Sequence, residues 1–428
     1  MKNLNNTPRY YRGINVLFKN LFLVYGKYYK NRKQYPLFKF NLISITKLRK
    51  KLDLKKIIEF NGKYYSTMAL PGFPSKVFDN MIANGGLNFE HAGTSKKTQI
   101  DNAFLAITNK CKLNCSHCYE KHNLRNNSNI PVEKWCSVID YLQNEGTSII
   151  VLTGGDPIWD FEKTLSILKH GDKDLSEFHI HTSGYSITEQ MVKSLKKAGL
   201  AAAAVGLEGT DPEKHDEIRG VTGSWVHAIN ALKLFNKAGT RTYVNFCLNN
   251  YNCDESNLHK FFKLMKSLNV SLIQILEPRP CGALIDNNMN TIFNAESKNK
   301  ILEIYRNYNL KLKYKNYPLL YYVHYIESPS KMGCMMGGLS HFYIDSAGNV
   351  NPCVFVPVSF GNIITSDVGD ILKKMRRSCP HPLHKECPSV ALAKDINRKL
   401  NVSGSKMPIR FEELNEEWRQ LYSMDTKV

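Results

Sequence analysis

The first 52 residues contain no aspartate or glutamate, whereas 13 lysines and arginines precede Asp53. Residues 1–100 hold 19 basic and 4 acidic side chains, so most of the chain's net charge of +20 sits in that one stretch. Such a basic appendage points to an anionic surface or partner of its own. Long apolar runs are also missing: none approaches the ~20 residues a membrane-spanning helix needs, which argues against an integral membrane protein. No continuous apolar h-region or A-x-A-like cleavage site follows the amino terminus, so secretion is not expected. No solenoid repeat is present. With 43% hydrophobic and 22% charged residues in 428, the composition is that of a globular chain, long enough for a large catalytic domain and smaller appendages.

Cysteine is plentiful and odd in number, eleven in all. A secretory disulfide framework wants an even count and a signal peptide. These cysteines cluster instead: Cys111, Cys115 and Cys118 fall within eight residues, and Cys334, Cys353, Cys379 and Cys387 lie in the last quarter. In a reducing cytoplasm such groups serve metals or clusters more often than disulfides, and a cytoplasmic location is expected. Cys136, Cys247 and Cys253 lack ligand spacing, and the first two fall in predicted core elements where they pack as small hydrophobes. Cys281, just before Gly282, also lacks ligand spacing and lies where a substrate would enter.

Between residues 102 and 276 the pattern alternates. Strands are predicted at 102–108, 148–152, 178–182, 200–207, 242–248 and 270–276. Helices are predicted at 132–144, 161–169, 188–198, 224–238 (with Ser224 as N-cap) and 256–268. Strand–helix alternation indicates parallel crossovers, and six units fit a partial (β/α)6 parallel barrel better than the full eight-unit one. The fold expected is therefore α/β, with ligands at the carboxyl ends of the strands. A basic appendage (1–100) precedes the core (101–285), and a connecting segment (286–332) follows it. A small Cys-rich α+β module (333–390) and a helical tail (391–428) complete the chain. The module has a hairpin around Ser346–Asn349, at 341–345 and 350–355.

Cys111-x3-Cys115-x2-Cys118-Tyr119 directly follows the first core strand. Three thiolates on a short loop can hold three irons of a 4Fe–4S cluster, which normally takes four cysteines. The fourth iron then stays open, as a catalytic metal site requires. A structural zinc loop completed by His117 or His122 is the alternative reading.

The loop with its trailing aromatic resembles the radical SAM superfamily. Thr153-Gly154-Gly155-Asp156-Pro157, at the end of the second strand, resembles that family's GGE-P motif, with Asp156 in place of Glu. The family's glycines leave the backbone bare to hydrogen-bond the amino group of the S-adenosylmethionine (SAM) methionine. His181-Thr182-Ser183-Gly184 resembles the Thr-Asn-Gly end of strand three. Gly206-Leu207-Glu208-Gly209 with His215-Asp216 and Ile218-Arg219-Gly220 resembles a stretch of the peptide-modifying branch. Gly206 stands where that branch has a serine, so a hydroxyl contact is lost. The resemblance implies a cofactor site of Tyr119, Gly154, Gly155, Asp156, Thr182, Ser183, Glu208, Arg219, Asn245 and Leu276. Arg219 would pair with the SAM carboxylate, or else make a surface ion pair. Glu208 would reach a ribose hydroxyl or cap the next segment.

Cys334-x13-Gly348-x4-Cys353, followed by Cys379 and Cys387, resembles the SPASM/Twitch auxiliary-cluster module. The full form uses seven cysteines for two clusters, and the four here suffice for one, with His381 or His384 able to replace a ligand. The resemblance implies SAM, a SAM-binding 4Fe–4S cluster on Cys111, Cys115 and Cys118, and one auxiliary 4Fe–4S cluster. It also implies a 5′-deoxyadenosyl radical that abstracts hydrogen, and a reductase, flavodoxin or ferredoxin as electron donor. A zinc site on the same four cysteines is the alternative.

In the appendage, Ile14, Leu17, Phe18, Leu21, Phe22 and Tyr25 form one apolar helical face among basic residues. It suits packing on the barrel or a peripheral membrane contact through residues 10–30. A winged-helix-like peptide-recognition region within 35–100 is a further expectation. Tyr and Phe interleave with Lys, but no recognition motif accompanies them, so nucleic acid is not expected. The substrate expected is a peptide or protein side chain. A lipid or other membrane-surface substrate is the runner-up, and a zinc-binding, nucleic-acid-associated protein is the reading from a different class.

Overall fold

The computed structural model describes residues 7–12, 50–83, 100–124, 129–285, 295–402 and 406–423. The apolar face at 14–25 lies outside them.

The core is one mostly parallel sheet. Strands β4 (Asn102–Thr108), β5 (Ile149–Gly154), β6 (Glu177–Thr182), β7 (Leu200–Gly206), β8 (Arg241–Cys247) and β9 (Leu272–Leu276) pair in chain order. Each pairs parallel to the next, so each connection is a crossover. Helices close these crossovers by burying one stripe. In Val132–Asn144 that stripe is Trp135, Val138, Ile139 and Leu142, spaced i, i+3, i+4 and i+7. Fully burying side chains of this size contributes ~1.5–3 kcal/mol each. Three N-caps follow from sequence: Thr188, Asp211 and Asp254 accept backbone N–H bonds at the starts of their helices. Ser224 does not. Gly223, with φ 83°, is the capping residue there, and the Ser224 hydroxyl instead donates to Asp216 at 2.8 Å.

The sheet runs beyond the six expected strands. Strand β10 (Leu319–Tyr322), from the expected connecting segment, adds parallel to β9. Strand β11 (His341–Ile344) adds parallel to β4 and forms the expected hairpin with β12 (Val350–Asn351). The order is β10-β9-β8-β7-β6-β5-β4-β11-β12, and its two ends are not paired with each other among the described residues. This is the expected partial barrel, with the Cys-rich module sewn onto its first strand.

Part of the basic appendage forms the barrel's floor. Strands β1 (Arg9–Arg12), β2 (Lys56–Phe60) and β3 (Lys63–Tyr65) make an antiparallel sheet. Ile57 and Ile58 are fully buried. The contacts fall at the amino ends of the barrel strands. Tyr10 Oη donates to the Val270 carbonyl at 3.0 Å, and Gly72 N donates to Glu177 at 3.0 Å. The Arg241 guanidinium lies 4.0 Å over the Tyr65 ring. Lys56, 2% exposed, spends its charge on the carbonyls of Tyr314, Tyr317 and Pro318. At least this stretch of basic sequence therefore serves packing.

Candidate active site

Side chains alternate along a strand, so every second residue of the barrel faces its bore. Phe104, Val151, His179, His181, Tyr243, Asn245 and Gln274 are such residues, and they wall a cavity of about 320 Å³. All ten residues of the expected cofactor site line it, as do Cys111, Cys115 and Cys118.

The three-cysteine loop is held on both sides of Cys115. Asn114 N and Ser116 N donate to the carbonyls of Arg219 and Ile218, at 3.0 and 2.9 Å. The glycine loop packs directly on it: Gly155 N donates to Thr108 O and Asp156 N to Lys110 O, both at 2.8 Å. A Cβ on Gly154 would lie 2.2 Å from Thr108 O, and one on Gly155 would lie 2.4 Å from Lys110 O. Both glycines are thus required by close backbone approach. Asp156 is buried and ties the loop to the end of β6. It accepts from Ile158 N (3.1 Å), Thr182 Oγ1 (2.7 Å), Ser183 N (2.9 Å) and the Ser183 hydroxyl. Burial still pushes its carboxyl above the usual range. Thr182 and Ser183 are therefore brought to the site, with their polar atoms turned to Asp156.

Glu208 and Arg219 form a pair at the far wall, Arg219 Nη2 to Glu208 Oε1 at 2.5 Å, with side chains 12% and 1% exposed. The other Glu208 oxygen accepts from Cys247 N at 3.0 Å, and Glu208 N donates to His215 Nδ1 at 3.1 Å. Arg219 Nη1 reaches within 3.8 Å of Cys115 Sγ. A Cβ at Gly206 would lie 2.2 Å from Arg219 Nη2, so glycine there makes room for the guanidinium. Tyr119 Oη meets Thr153 Oγ1 at 3.0 Å, while Asn245 Nδ2 lies 3.4 Å from His181 Nδ1.

Several cavity residues were given no role of their own from the sequence. His179, His181 and Tyr243 form a line across the bore, Tyr243 Oη lying 3.0 Å from His181 and 3.4 Å from His179. Their signal was the period-2 parity of β6 and β8, masked because buried histidines read as core. Beyond β9, Arg279 lies 3.5 Å from Glu277 and 2.9 Å from His324, and Tyr322 donates to Glu277. Burial raises the Glu327 carboxyl to about 7.

The donor set fits iron–sulfur clusters. Burial pushes the Cys111 and Cys118 thiols up to about 12, and cluster iron beside them would supply the positive charge that ionised thiolates need there. Of the two histidines in the zinc alternative, His117 lines the cavity with its Nε2 3.5 Å from Glu208, and His122 lines the smaller cavity behind Tyr119. Among the described residues, no three His, Cys, Asp or Glu side chains gather around a single ion.

The second sulfur set divides in space. Cys334, Cys353 and Cys387 act on one another electrostatically, and Cys281 joins them. Cys379 stands apart, fully buried and hydrogen-bonded by Tyr422. The cavity reaches this set through Cys281 and Cys353.

Comparison with known proteins agrees with this geometry. The family model of the radical SAM superfamily matches residues 105–262, and that of the SPASM iron–sulfur cluster-binding domain matches residues 334–389. This chain is a radical SAM enzyme.

Its cofactors are SAM, a 4Fe–4S cluster and an auxiliary iron–sulfur cluster. It is similar to the AdoMet-dependent heme synthase of Methanosarcina barkeri, 24% identical over 60% of this chain and 77% of that one. It is also similar to the sporulation killing factor maturation protein SkfB of Bacillus subtilis, 26% identical over 35% of this chain and 36% of the relative. Streptococcus suis SuiB bound to its precursor peptide SuiA shares the fold, with a TM-score of 0.57 at 15% identity, covering 71% of this chain and 74% of that one. No described helix is long and apolar enough to cross a membrane. The membrane contact expected of residues 10–30 falls almost wholly outside the described residues.

Proposed function

We propose that this radical SAM enzyme modifies a carbon of a peptide or protein side chain drawn into the barrel cavity. The observation that carries the reading is one continuous cavity running from the three-cysteine loop to Cys353. A substrate there faces the radical source on one side and the auxiliary sulfur set on the other. Cys111, Cys115 and Cys118 hold the SAM-binding cluster, and Arg219, oriented by Glu208, takes the SAM carboxylate. The SAM-loaded cluster supplies the one-electron cleavage that yields a hydrogen-abstracting 5′-deoxyadenosyl radical. The protein's own part is positioning and exclusion of water. The apolar walls of Phe104 and Val151 shield the bore, while His181, Asn245 and Gln274 offer hydrogen bonds to an amide-bearing substrate. A reduced flavodoxin or ferredoxin of the cytoplasm is the electron donor.

The relatives named for peptide maturation support this substrate class. A second reading, a tetrapyrrole substrate, is favoured by coverage: the heme synthase matches over 77% of its own length and SkfB over 36%. One experiment separates them. The reconstituted enzyme is incubated without oxygen with SAM and reductant, and with either short peptides or an iron coproporphyrin. The peptide reading expects 5′-deoxyadenosine above the substrate-free rate and a mass change in the peptide only. Product from the porphyrin alone would overturn it.

A further inference from the structure

We propose that the auxiliary cluster of this chain is closed by Cys281, at the exit of the last core barrel strand, and not by Cys379, so that Cys281, Cys334, Cys353 and Cys387 are its ligands. The inference rests on the auxiliary cluster itself being present and says which residues hold it.

Four observations carry it. First, Cys281 and Cys353 line two cavities in common, the large one and a smaller one behind Tyr119. Second, Cys353 and Cys387 are neighbours of each other and of both Cys281 and Cys334. Third, Cys379 has other work. It ends helix Val368–Ser378 inside the main apolar core, with Tyr422 on its sulfur. Gly337, at φ 72°, packs so close that a Cβ would lie 2.2 Å from that sulfur. Cys379 lines neither of the two cavities that Cys281 and Cys353 share. Fourth, the charge is right. A 4Fe–4S cluster with four thiolates is anionic in its common states, and the Arg279 guanidinium lies within electrostatic reach of Cys281, Cys353 and Cys387.

The placement has a consequence. Ala283 N donates to the Cys118 carbonyl at 2.8 Å, and a Cβ on Gly282 would lie 2.2 Å from that oxygen. Cys281 is therefore fixed, through two residues of backbone, to the loop that holds the SAM-binding cluster. The auxiliary cluster hangs on the catalytic loop as well as on the C-terminal module.

The test uses the full chain with Cys111, Cys115 and Cys118 all replaced by alanine, reconstituted without oxygen, so that only the auxiliary cluster remains. Iron content and the electron paramagnetic resonance spectrum of the reduced protein are read. The parent should hold ~4 irons per chain. Adding C281A should abolish the 4Fe–4S signal or leave a three-iron species. Adding C379A, or C379S should the alanine variant misfold by circular dichroism, should leave iron and signal unchanged. An intact signal in C281A overturns the proposal. Loss in a folded C379 variant overturns it as well, since Cys379 would then be a ligand. A parent without iron removes the auxiliary cluster itself, a failure distinct from a wrong choice of fourth ligand.

Discussion

Replacing Arg219 by methionine tests whether the Glu208–Arg219 pair organises the SAM side of the cavity. The pair is 2.5 Å apart and its carboxylate is 1% exposed. Methionine keeps the bulk and removes the charge. Glu208 would retain one backbone donor, Cys247 N at 3.0 Å, and His117 at 3.5 Å. Deleting one member of a buried pair costs ~3–5 kcal/mol, and the surviving amide and the adjoining cavity favour the lower end, ~3 kcal/mol. Glu208→Gln alone leaves Arg219 buried and is also destabilising. The double variant removes both charges, so the four proteins form a cycle whose coupling should be ~1–3 kcal/mol. The assay is urea unfolding of the cluster-free chain at one pH and ionic strength. SAM affinity of the reconstituted proteins gives a second readout. A charge-assisted bond to a carboxylate contributes ~1.5–3 kcal/mol. R219M should therefore weaken SAM binding ~10-fold to ~150-fold, at ~1.4 kcal/mol per tenfold. A destabilisation below ~1 kcal/mol, or losses that simply add in the double variant, would refute the pairing argument.

Three further outcomes follow from the same geometry. The triple alanine variant at Cys111, Cys115 and Cys118 should lose reductive SAM cleavage to background while keeping its fold, measured as 5′-deoxyadenosine formed without oxygen. Gly155→Ala should cost ~1–3 kcal/mol and lower SAM affinity, because its Cβ meets the Lys110 carbonyl at 2.4 Å; calorimetric titration checks the affinity. His215 has its imidazole held down to about 4 by burial and by Arg219, and its Nδ1 accepts from Glu208 N. Its folded value is below the unfolded ~6.5, so its share of stability is complete above that pH and is lost as pH falls towards 4. That share is at most ~3 kcal/mol, from ~1.36 kcal/mol per unit. Glu120, raised to about 7 by burial beside Asp345, works in the opposite direction over the same range. The slope of unfolding free energy against pH should therefore become more negative between 6.5 and 4 in His215→Asn, and an unchanged slope would count against the His215 assignment.

Much of this architecture was legible in the residues because each core element repeats one period. Val132–Asn144 and Glu255–Ser267 announce themselves by apolar spacing, and β4 to β9 by short apolar runs between turn residues. The glycine loop was legible only through its resemblance to a family motif one strand after the cysteine loop, and the structure adds that Gly154 and Gly155 are the residues a backbone-on-backbone contact demands. What stayed hidden were meetings between distant segments. Nothing local tells that β11 adds to β4, since the pairing depends on which sheet edge is open. Nothing local tells that Tyr65 lies under Arg241, or that Cys379 faces Gly337 and Tyr422. Cysteine spacing names groups that are close in sequence, and Cys281 lies 53 residues before Cys334, beyond any motif.

The same long-range meetings explain how one chain can hold two sulfur sets in a fixed relation. A module joined only by a linker would let their separation drift. Here β11 pairs with β4, the strand that leads into the three-cysteine loop. Glu120, two residues past Cys118, accepts from Ser346 N in the β11–β12 turn at 3.0 Å. Ala283 N adds a third tie, to Cys118 itself. Two ties from the module grip the three-cysteine loop, one on the strand before it and one on Glu120 after it, and Ala283 of the core holds Cys118, so a displacement of the C-terminal module must also move the catalytic loop. On the proposed function, the cavity between the two sulfur sets must keep its width for a substrate to fit, and making the module part of the sheet meets that demand.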